Sequence, residues 1–375
     1  MLTEPKTGVD SSPAITPGPQ GRVVIGAAAD QVGVSGYLGT GEVDGGFGTS
    51  GTSAITVPGA TFAYVNDSAV DGDGRTVVVG YAYMPDGDTY RMVVARFTAT
   101  GDPDTSFSGD GVGTISFSRG EAYAYDVTFR GGKIYVCGQV YTGASAPADP
   151  VVARLDGAGV LDAAFGFGGR RVYKVPDGFA GDDSVDAIQA VADGRFVLVG
   201  GVASAQGRNT LVMRIHGDGR LDRSFKADGF HTMNLRKSGS DNAIDVARDG
   251  SKLVLSVAGI DSDKPKIVRL LASGSPDATF SGNGVGTYPL FGAPFLRIRD
   301  LAVDASHRVY AIGFRGQLPA FRVRANGQLA TAFGDGGLAM NPGTNASAWD
   351  VMLSGNFLYV AGGAPNAIHV TRYLI

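Results

Sequence analysis

Asp193–Phe225 reads DGRFVLVGGVASAQGRNTLVMRIHGDGRLDRSF. A Gly turn opens the apolar run GRFVLVG (194–200), a second apolar strand, LVMRI (211–215), carries one arginine, and D-x-x-F closes the stretch at Asp222–Phe225. Gly and Asp punctuate short β-branched and aromatic runs, the pattern of antiparallel strands joined by tight turns. The same signatures return along the chain. The first run recurs as GRVVIG (21–26), GRTVVVG (74–80), GKIYVCG (132–138), SKLVLSV (251–257), HRVYAIG (307–313) and NFLYVAG (356–362). The arginine strand recurs as VVARF (93–97), VVARL (151–155), KIVRL (266–270), AFRVR (320–324) and HVTRY (369–373), with Gly36 of VSGYL in the arginine place of the first copy. The repeat phenylalanines stand at 47, 107, 165, 225, 280 and 333.

Each period of about 55 residues contains four strands. Strand A is of the type AYDVTF (124–129), B is the GRTVVVG run, C carries the arginine, and D is of the type GVGTISF (111–117). Four short antiparallel strands at this period describe a propeller blade. Seven copies predict an all-β, seven-bladed β-propeller, a single domain over residues 1–375. The seventh copy reaches Ile375 without a strand D, and the missing place projects onto Leu2–Glu4, so residues 1–10 are a candidate ring-closing outer strand. The Gly-His and Trp-Asp marks of WD40 blades do not recur. The pattern D-G-R/K-hydrophobics-G, then A-R-hydrophobic, then D-G-x-L-D-x-x-F resembles the bacterial delta-sixty repeat, from Gly21 to Ile375. Asp193–Gly200, Met213–Ile215 and Gly217–Phe225 form the nearest copy. The resemblance implies a tandem-repeat propeller and an extracellular, periplasmic or cell-surface setting. It supplies no catalytic motif.

Composition agrees with a turn-dense β protein. Gly is 58 of 375, only three acidic residues are Glu (Glu4, Glu42, Glu121), and hydrophobic residues make up 43%. Glu and Lys favour helices, whereas Gly and Asp favour turns. A net charge of −4 without a basic block disfavours nucleic acid. No apolar run approaches the length of a membrane helix. Cys137 stands alone, which excludes an intrachain disulfide. The opening MLTEPKTGVDSSP lacks the charged and apolar regions of a signal peptide. A monomer is expected.

Arg96, Arg154, Arg214 and Arg269 each precede a repeat aspartate by eight residues: Asp104, Asp162, Asp222 and Asp277. That constancy marks one ion pair per blade, since a charge on a buried strand needs a partner. Blade one, with Gly36, and blade six, with Ala330, break the rule. Gly-Asp loops such as 71–75 suggest calcium, but no cofactor is assigned: tight turns explain them, and Arg75 opposes a cation. His216, His231, His307 and His369 show no ligand spacing. Sites are therefore sought where copies differ. Counting 12 residues back from the end of strand B gives Asp126, Asp245 and Asp350, with Asp186 and Asp300 slightly earlier. These carboxylates either solvate the central channel or form an acidic ring. The D-to-A loops are aromatic and share a rim with the B-to-C hairpins: Phe62 and Tyr64, Tyr123 and Tyr125, Phe179 with Asp182 and Asp183, Phe291 and Phe295, and Trp349. The candidate ligand-binding set is Tyr64, Tyr123, Tyr125, Asp126, Asp183, Asp245, Phe295, Trp349 and Asp350. The expected function is non-catalytic binding of a carbohydrate or protein ligand at the rim and channel mouth. The alternatives are a hydrolase or lyase with an acidic, calcium-assisted site, in which clustered carboxylates split their pKa values, and a purely structural repeat.

Overall fold

The structure, a computed structural model, describes residues 2–5, 13–28, 31–117, 120–143, 146–176, 179–205, 207–236, 239–259, 264–288, 297–314, 317–364 and 367–375. It is a seven-bladed, all-β propeller of four-stranded antiparallel sheets. After β1 (Leu2–Pro5), blade 1 is β2 (Ala14–Pro17), β3 (Val23–Ala28), β4 (Val32–Tyr37) and β5 (Thr52–Ile55). Blade 2 is β6 (Phe62–Val70), β7 (Thr76–Met84), β8 (Thr89–Phe97) and β9 (Val112–Ile115). Blade 3 is β10 (Ala122–Arg130), β11 (Lys133–Tyr141), β12 (Ala148–Leu155) and β13 (Arg170–Val172). Blade 4 is β14 (Ser184–Ala190), β15 (Arg195–Ser204), β16 (Gly207–His216) and β17 (Phe230–Met233). Blade 5 is β18 (Asp241–Asp249), β19 (Lys252–Gly259), β20 (Lys266–Leu270) and β21 (Val285–Thr287). Blade 6 is β22 (Arg297–Val303), β23 (Val309–Phe314), β24 (Ala320–Val323) and β25 (Leu338–Ala339). The seventh sheet is built on β26 (Ser347–Ser354), β27 (Phe357–Ala364) and β28 (Ala367–Leu374), in the order β1-β28-β27-β26.

The chain forms two compact units, Met1–Lys174 with Pro365–Ile368, and Val175–Ala364 with His369–Ile375. In the first, apolar cores lie between blades 1 and 2 (Val34, Phe47, Val65, Val78) and between blades 2 and 3 (Val77, Phe107, Val127, Val136). In the second, equivalent cores lie between blades 4 and 5, 5 and 6, and 6 and 7. The middle strands of a blade meet a neighbour on both faces, so they read as near-continuous apolar runs, as in TVVVGYAYM (76–84). The first strands alternate, as in FAYVNDSAV (62–70), where Ala63 and Val65 are buried and Phe62, Tyr64 and Asn66 are half-buried.

The recurrent Arg–Asp–Phe unit is a plug. In blades 2, 4 and 5 the arginine Nε donates to the aspartate at 2.7, 2.6 and 2.8 Å, and the guanidinium lies 4.8 Å from the repeat Phe ring. Its Nη1 donates to a carbonyl of the next blade: Arg96 to Gly157, Arg214 to Ala272 and Arg269 to Ala325. One side chain thus closes a turn, covers a ring and ties two blades. Blade 3 uses a looser version, with Arg154 Nη2 at 3.1 Å from Asp162 and Lys133 Nζ at 2.8 Å from the same oxygen. Blade 1 resolves its apparent exception. Arg22, the residue just before β3, supplies the guanidinium, with Nε 2.6 Å from Asp44, Nη1 on Ala99 O and the charge 5.1 Å from Phe47. Gly36 is needed there, because a Cβ would sit 2.5 Å from Phe47 Cγ. In blade 6, Arg322 lies 5.0 Å from Phe333, facing Ala330 in the aspartate place.

Candidate functional site

The first strands of six sheets carry a one-residue β-bulge at the equivalent repeat position. The bulged residues are Asn66, Tyr125, Asp186, Ile244, Arg299 and Trp349. A bulge leaves its extra residue out of the ladder and re-aims the side chain. The position after the bulge is Asp67, Asp126, Ala187, Asp245, Asp300 and Asp350. Asp67 therefore joins the aspartate row, Asp300 is in full register with it, and Asp186 sits one place earlier, on the bulge.

These carboxylates brace neighbouring blades. Val127 N–H donates to Asp126 Oδ1 (2.5 Å) in its own blade and to Asp67 Oδ2 (3.0 Å) from the preceding one. Leu301 N–H donates to Asp300 Oδ1 (2.6 Å) and Asp245 Oδ2 (3.2 Å), and Val351 N–H to Asp350 Oδ1 (2.6 Å) and Asp300 Oδ2 (2.7 Å). Two acid groups converge on one donor each time. Burial, then the charges of Asp245 and Asp350, push the Asp300 carboxyl well above the usual carboxylate range. Burial also raises Asp245 and Asp186. Like charges this close do not all ionise, so burial beside Asp245 and Asp350 favours a protonated Asp300. Among the described residues no three His, Cys, Asp or Glu side chains are grouped to hold a metal ion.

The rim of blades 2 and 3 is built differently. β7 and β8 pair from Thr76↔Phe97 to Met84↔Thr89, and their upper halves carry Tyr81, Tyr83 and Tyr90. Strand alternation puts Ala82 and Met84 into the core shared with blade 1 and turns Tyr81 and Tyr83 the other way. Register then makes rows, with Phe62 opposite Tyr83 and Tyr83 opposite Tyr90, and Tyr64 opposite Tyr81. Phe62 stacks on Tyr83 at 5.6 Å and Tyr64 on Tyr81 at 4.9 Å. Tyr123 of blade 3 meets Tyr81 edge-on at 4.9 Å and Tyr90 at 5.3 Å, and Tyr141 follows at 6.2 Å. The result is a continuous seam of seven half-buried rings, six of them tyrosines. Carboxylates stand at its margin. Tyr123 Oη donates to Glu121 at 2.8 Å and Tyr83 Oη to Asp88 at 2.7 Å. Burial and the Glu121 carboxylate raise the Tyr123 phenol, and burial raises Tyr81, so both stay neutral donors. At the opposite end of these blades lies a cleft of about 340 Å³ with Phe129 and Ile134 in its wall, where Arg75 already pairs with Asp71 and Asp73.

The candidate residues separate accordingly. Tyr64 and Tyr123 belong to the seam. Tyr125 is the bulge residue of blade 3, and Trp349 that of the seventh sheet, its ring 4.2 Å from the Arg299 guanidinium. Asp126, Asp245 and Asp350 lie in the bracing row. Asp183 is buried in blade 4 and accepts the Ala203 N–H at 2.9 Å. Phe295, like Phe291, lies outside the described residues. Sequence reasoning missed Tyr81, Tyr83, Tyr90, Tyr141 and Glu121. The signal was available: aromatics alternate at 81, 83 and 90 in YAYMPDGDTY, on the blade 2 hairpin of the rim, beside Phe62 and Tyr64.

Comparison with known proteins places the chain among propellers. A family described as a β-propeller domain of unknown function, DUF5122, matches residues 72–107, 132–165 and 255–280. Among solved structures, BamB from Moraxella catarrhalis is 11% identical at a TM-score of 0.44, covering 97% of this chain and 83% of that one. YCF48 bound to D1 peptide is 13% identical at 0.45, covering 83% and 78%. The PQQ-bound aldose sugar dehydrogenase of Streptomyces coelicolor is 12% identical at 0.45, covering 83% and 92%. At this identity and score the likeness carries no argument about what the present chain binds. No curated protein matches. Among the described residues no helix is long and apolar enough to cross a membrane.

Proposed function

We propose that this protein is a non-catalytic binding module that takes a carbohydrate chain along the aromatic seam of blades 2 and 3. The carrying observation is the row of seven rings spaced 4.9–6.2 Å apart, six bearing phenols, with Glu121 and Asp88 at the margin. Sugar rings present C–H faces that pack on aromatic faces, and their hydroxyls need donors and acceptors beside that surface. A purely apolar seam would favour a protein partner, whereas phenol–carboxylate pairs suit a hydroxyl-rich one. The bracing role of the inner aspartates favours binding over acid–base chemistry.

The delta-sixty signature in the sequence supports membership of that repeat family and, with it, an exported or surface setting. A monomer whose N-terminal segment supplies the outer strand of the seventh sheet is part of this reading, in line with β1 (Leu2–Pro5) in that sheet.

The test is a thermal-shift panel of mono-, oligo- and polysaccharides, calcium, EDTA and extended peptides. A ligand at 100 times its Kd adds about 2.7 kcal/mol of stability. We expect a shift with one saccharide class that disappears in the Tyr81→Ala/Tyr90→Ala double variant. A panel without a saccharide response overturns the reading. A response to peptides alone makes the seam a protein site, and a calcium response reversed by EDTA returns attention to the aspartate row.

A further inference from the structure

The repeat position that carries the seam in blades 2 and 3 has a different chemistry at the junction of blades 4 and 5. Strand register puts Ser184, Gly201, Ala203 and Arg208 where blade 2 has Tyr64, Tyr81, Tyr83 and Tyr90, and Asn242 where blade 3 has Tyr123. Three rings give way to Ser, Gly and Ala, and an arginine and an amide take the other two places.

Below this layer the junction is apolar core, with Val199, Val212, Ala243 and Val257. Within it the polar groups are incompletely paired. Arg208 and Asn242 converge over Gly201, where a Cβ would lie 2.1 Å from Asn242 Oδ1 and 2.5 Å from Arg208 Nε. Both atoms are buried, and among the described residues neither has a hydrogen-bond partner. Thr210 pairs with Gly201 across β15 and β16 and is fully buried, with an equally unpartnered Oγ1. It stands two residues from Arg208 on β16, so the two side chains share a face. A buried donor or acceptor left unmet is costly and calls for a partner such as water, an ion or a ligand.

The bonds already made define what that partner must supply. Arg208 Nη2 donates to Ser184 Oγ at 2.7 Å and to Gly201 O at 2.9 Å, both neutral acceptors, so the guanidinium charge stays open to an anion. Asn242 Nδ2 donates to Asp186, which leaves the amide oxygen as an acceptor above Gly201. The ligand must therefore bring a negative oxygen for Arg208 and, beside it, an O–H for Asn242 Oδ1. Sulfate lacks that donor, and a neutral sugar lacks the charge. Arg208 and Asn242 are half-buried, so both reach the surface.

We propose that the junction of blades 4 and 5 binds a hydroxyl-bearing carboxylate of the sugar-acid class, its carboxylate on Arg208 and its hydroxyls on Asn242 Oδ1 and Thr210 Oγ1. This site stands independently of the saccharide reading of the seam.

The test is an isothermal titration of the full chain with galacturonate, as monomer and trimer, against galactose, its trimer and sulfate. The variants are Arg208→Gln, Gly201→Ala and the seam double variant Tyr81→Ala/Tyr90→Ala; Gly201→Ala serves should Arg208→Gln fail to fold. The proposal expects galacturonate to bind roughly ten-fold or more tightly than galactose or sulfate, to lose about ten-fold or more in Arg208→Gln and Gly201→Ala, and to keep its affinity in the seam variant. Binding of the monomer identifies a free sugar acid, and binding of the trimer alone identifies one within a chain. No binding of galacturonate, equal binding of galactose or sulfate, unchanged affinity in either junction variant, or loss in the seam variant overturns it. Failure of the seam to bind a saccharide leaves these readouts untouched.

Discussion

The Arg–Asp–Phe plug and the rim of blades 2 and 3 are built from the same repeat, yet they vary in opposite ways. The plug keeps its geometry to within 0.2 Å between Arg96, Arg214 and Arg269 and their aspartates. Blade 1 even restores it from another part of the chain, through Arg22 just before β3. The rim keeps only the backbone and replaces the side chains with a seam of tyrosines. Features that recur hold the blades together, and features confined to one or two blades are free to meet something else.

The sharpest way to break this contrast is at the plug. Arg96→Ala leaves Asp104 buried without its guanidinium and is expected to cost about 3–5 kcal/mol in chemical denaturation. Arg154→Ala should cost distinctly less, because Lys133 also holds Asp162. A cost for Arg96→Ala below about 0.5 kcal/mol would make the plug ornamental. Gly36→Ala pushes a methyl into Phe47 and should cost about 1–3 kcal/mol, whereas the same change at exposed Gly45 has open space to fill. Deleting residues 1–8 removes β1 from the seventh sheet and should lower Tm clearly; an unchanged Tm rejects a closing role for that strand.

A smaller effect separates the two kinds of aspartate by pH. Burial and the neighbouring carboxylates raise Asp300, so the folded state binds an extra proton. Its contribution is present at low pH and is lost as pH rises from the ordinary carboxylate value of about 3.9 through the raised one. Asp277 behaves oppositely. Burial works to raise it, but hydrogen bonds from Lys252 and Thr279 and the Arg269 charge hold it well below the usual range. Its contribution is present above about 3.9 and is lost in acid. Stability measured against pH should therefore fall on both sides, and Asp300→Asn should flatten the alkaline limb alone. A limb that keeps its slope in the variant contradicts a protonated Asp300.

Legibility in the sequence follows the same division. Repetition amplifies weak strand signals, so the blades and the Arg–Asp pairs could be read from spacing. The aspartate row was read only in part, because blades 2 and 6 join their first two strands by three-residue turns, Gly72–Gly74 and Ala305–His307, where blade 3 uses Gly131–Gly132. That one residue moved Asp67 and Asp300 off a fixed count. The exchange of Gly36 for Arg22 was hidden because Arg22 precedes β3 whereas Gly36 lies on β4. The seam was half legible: Tyr64 and Tyr123 fell in variable loops, whereas Tyr81, Tyr83 and Tyr90 sat in a hairpin that the repeat pattern had already explained as scaffold.

The most direct measurement is a calorimetric titration of the most stabilising oligosaccharide into wild type, Tyr64→Ala, Tyr81→Ala, Tyr90→Ala and Trp349→Ala. The seam account predicts heats that weaken at each tyrosine and persist in Trp349→Ala. Binding that survives the tyrosine changes, or that is lost with Trp349, contradicts it.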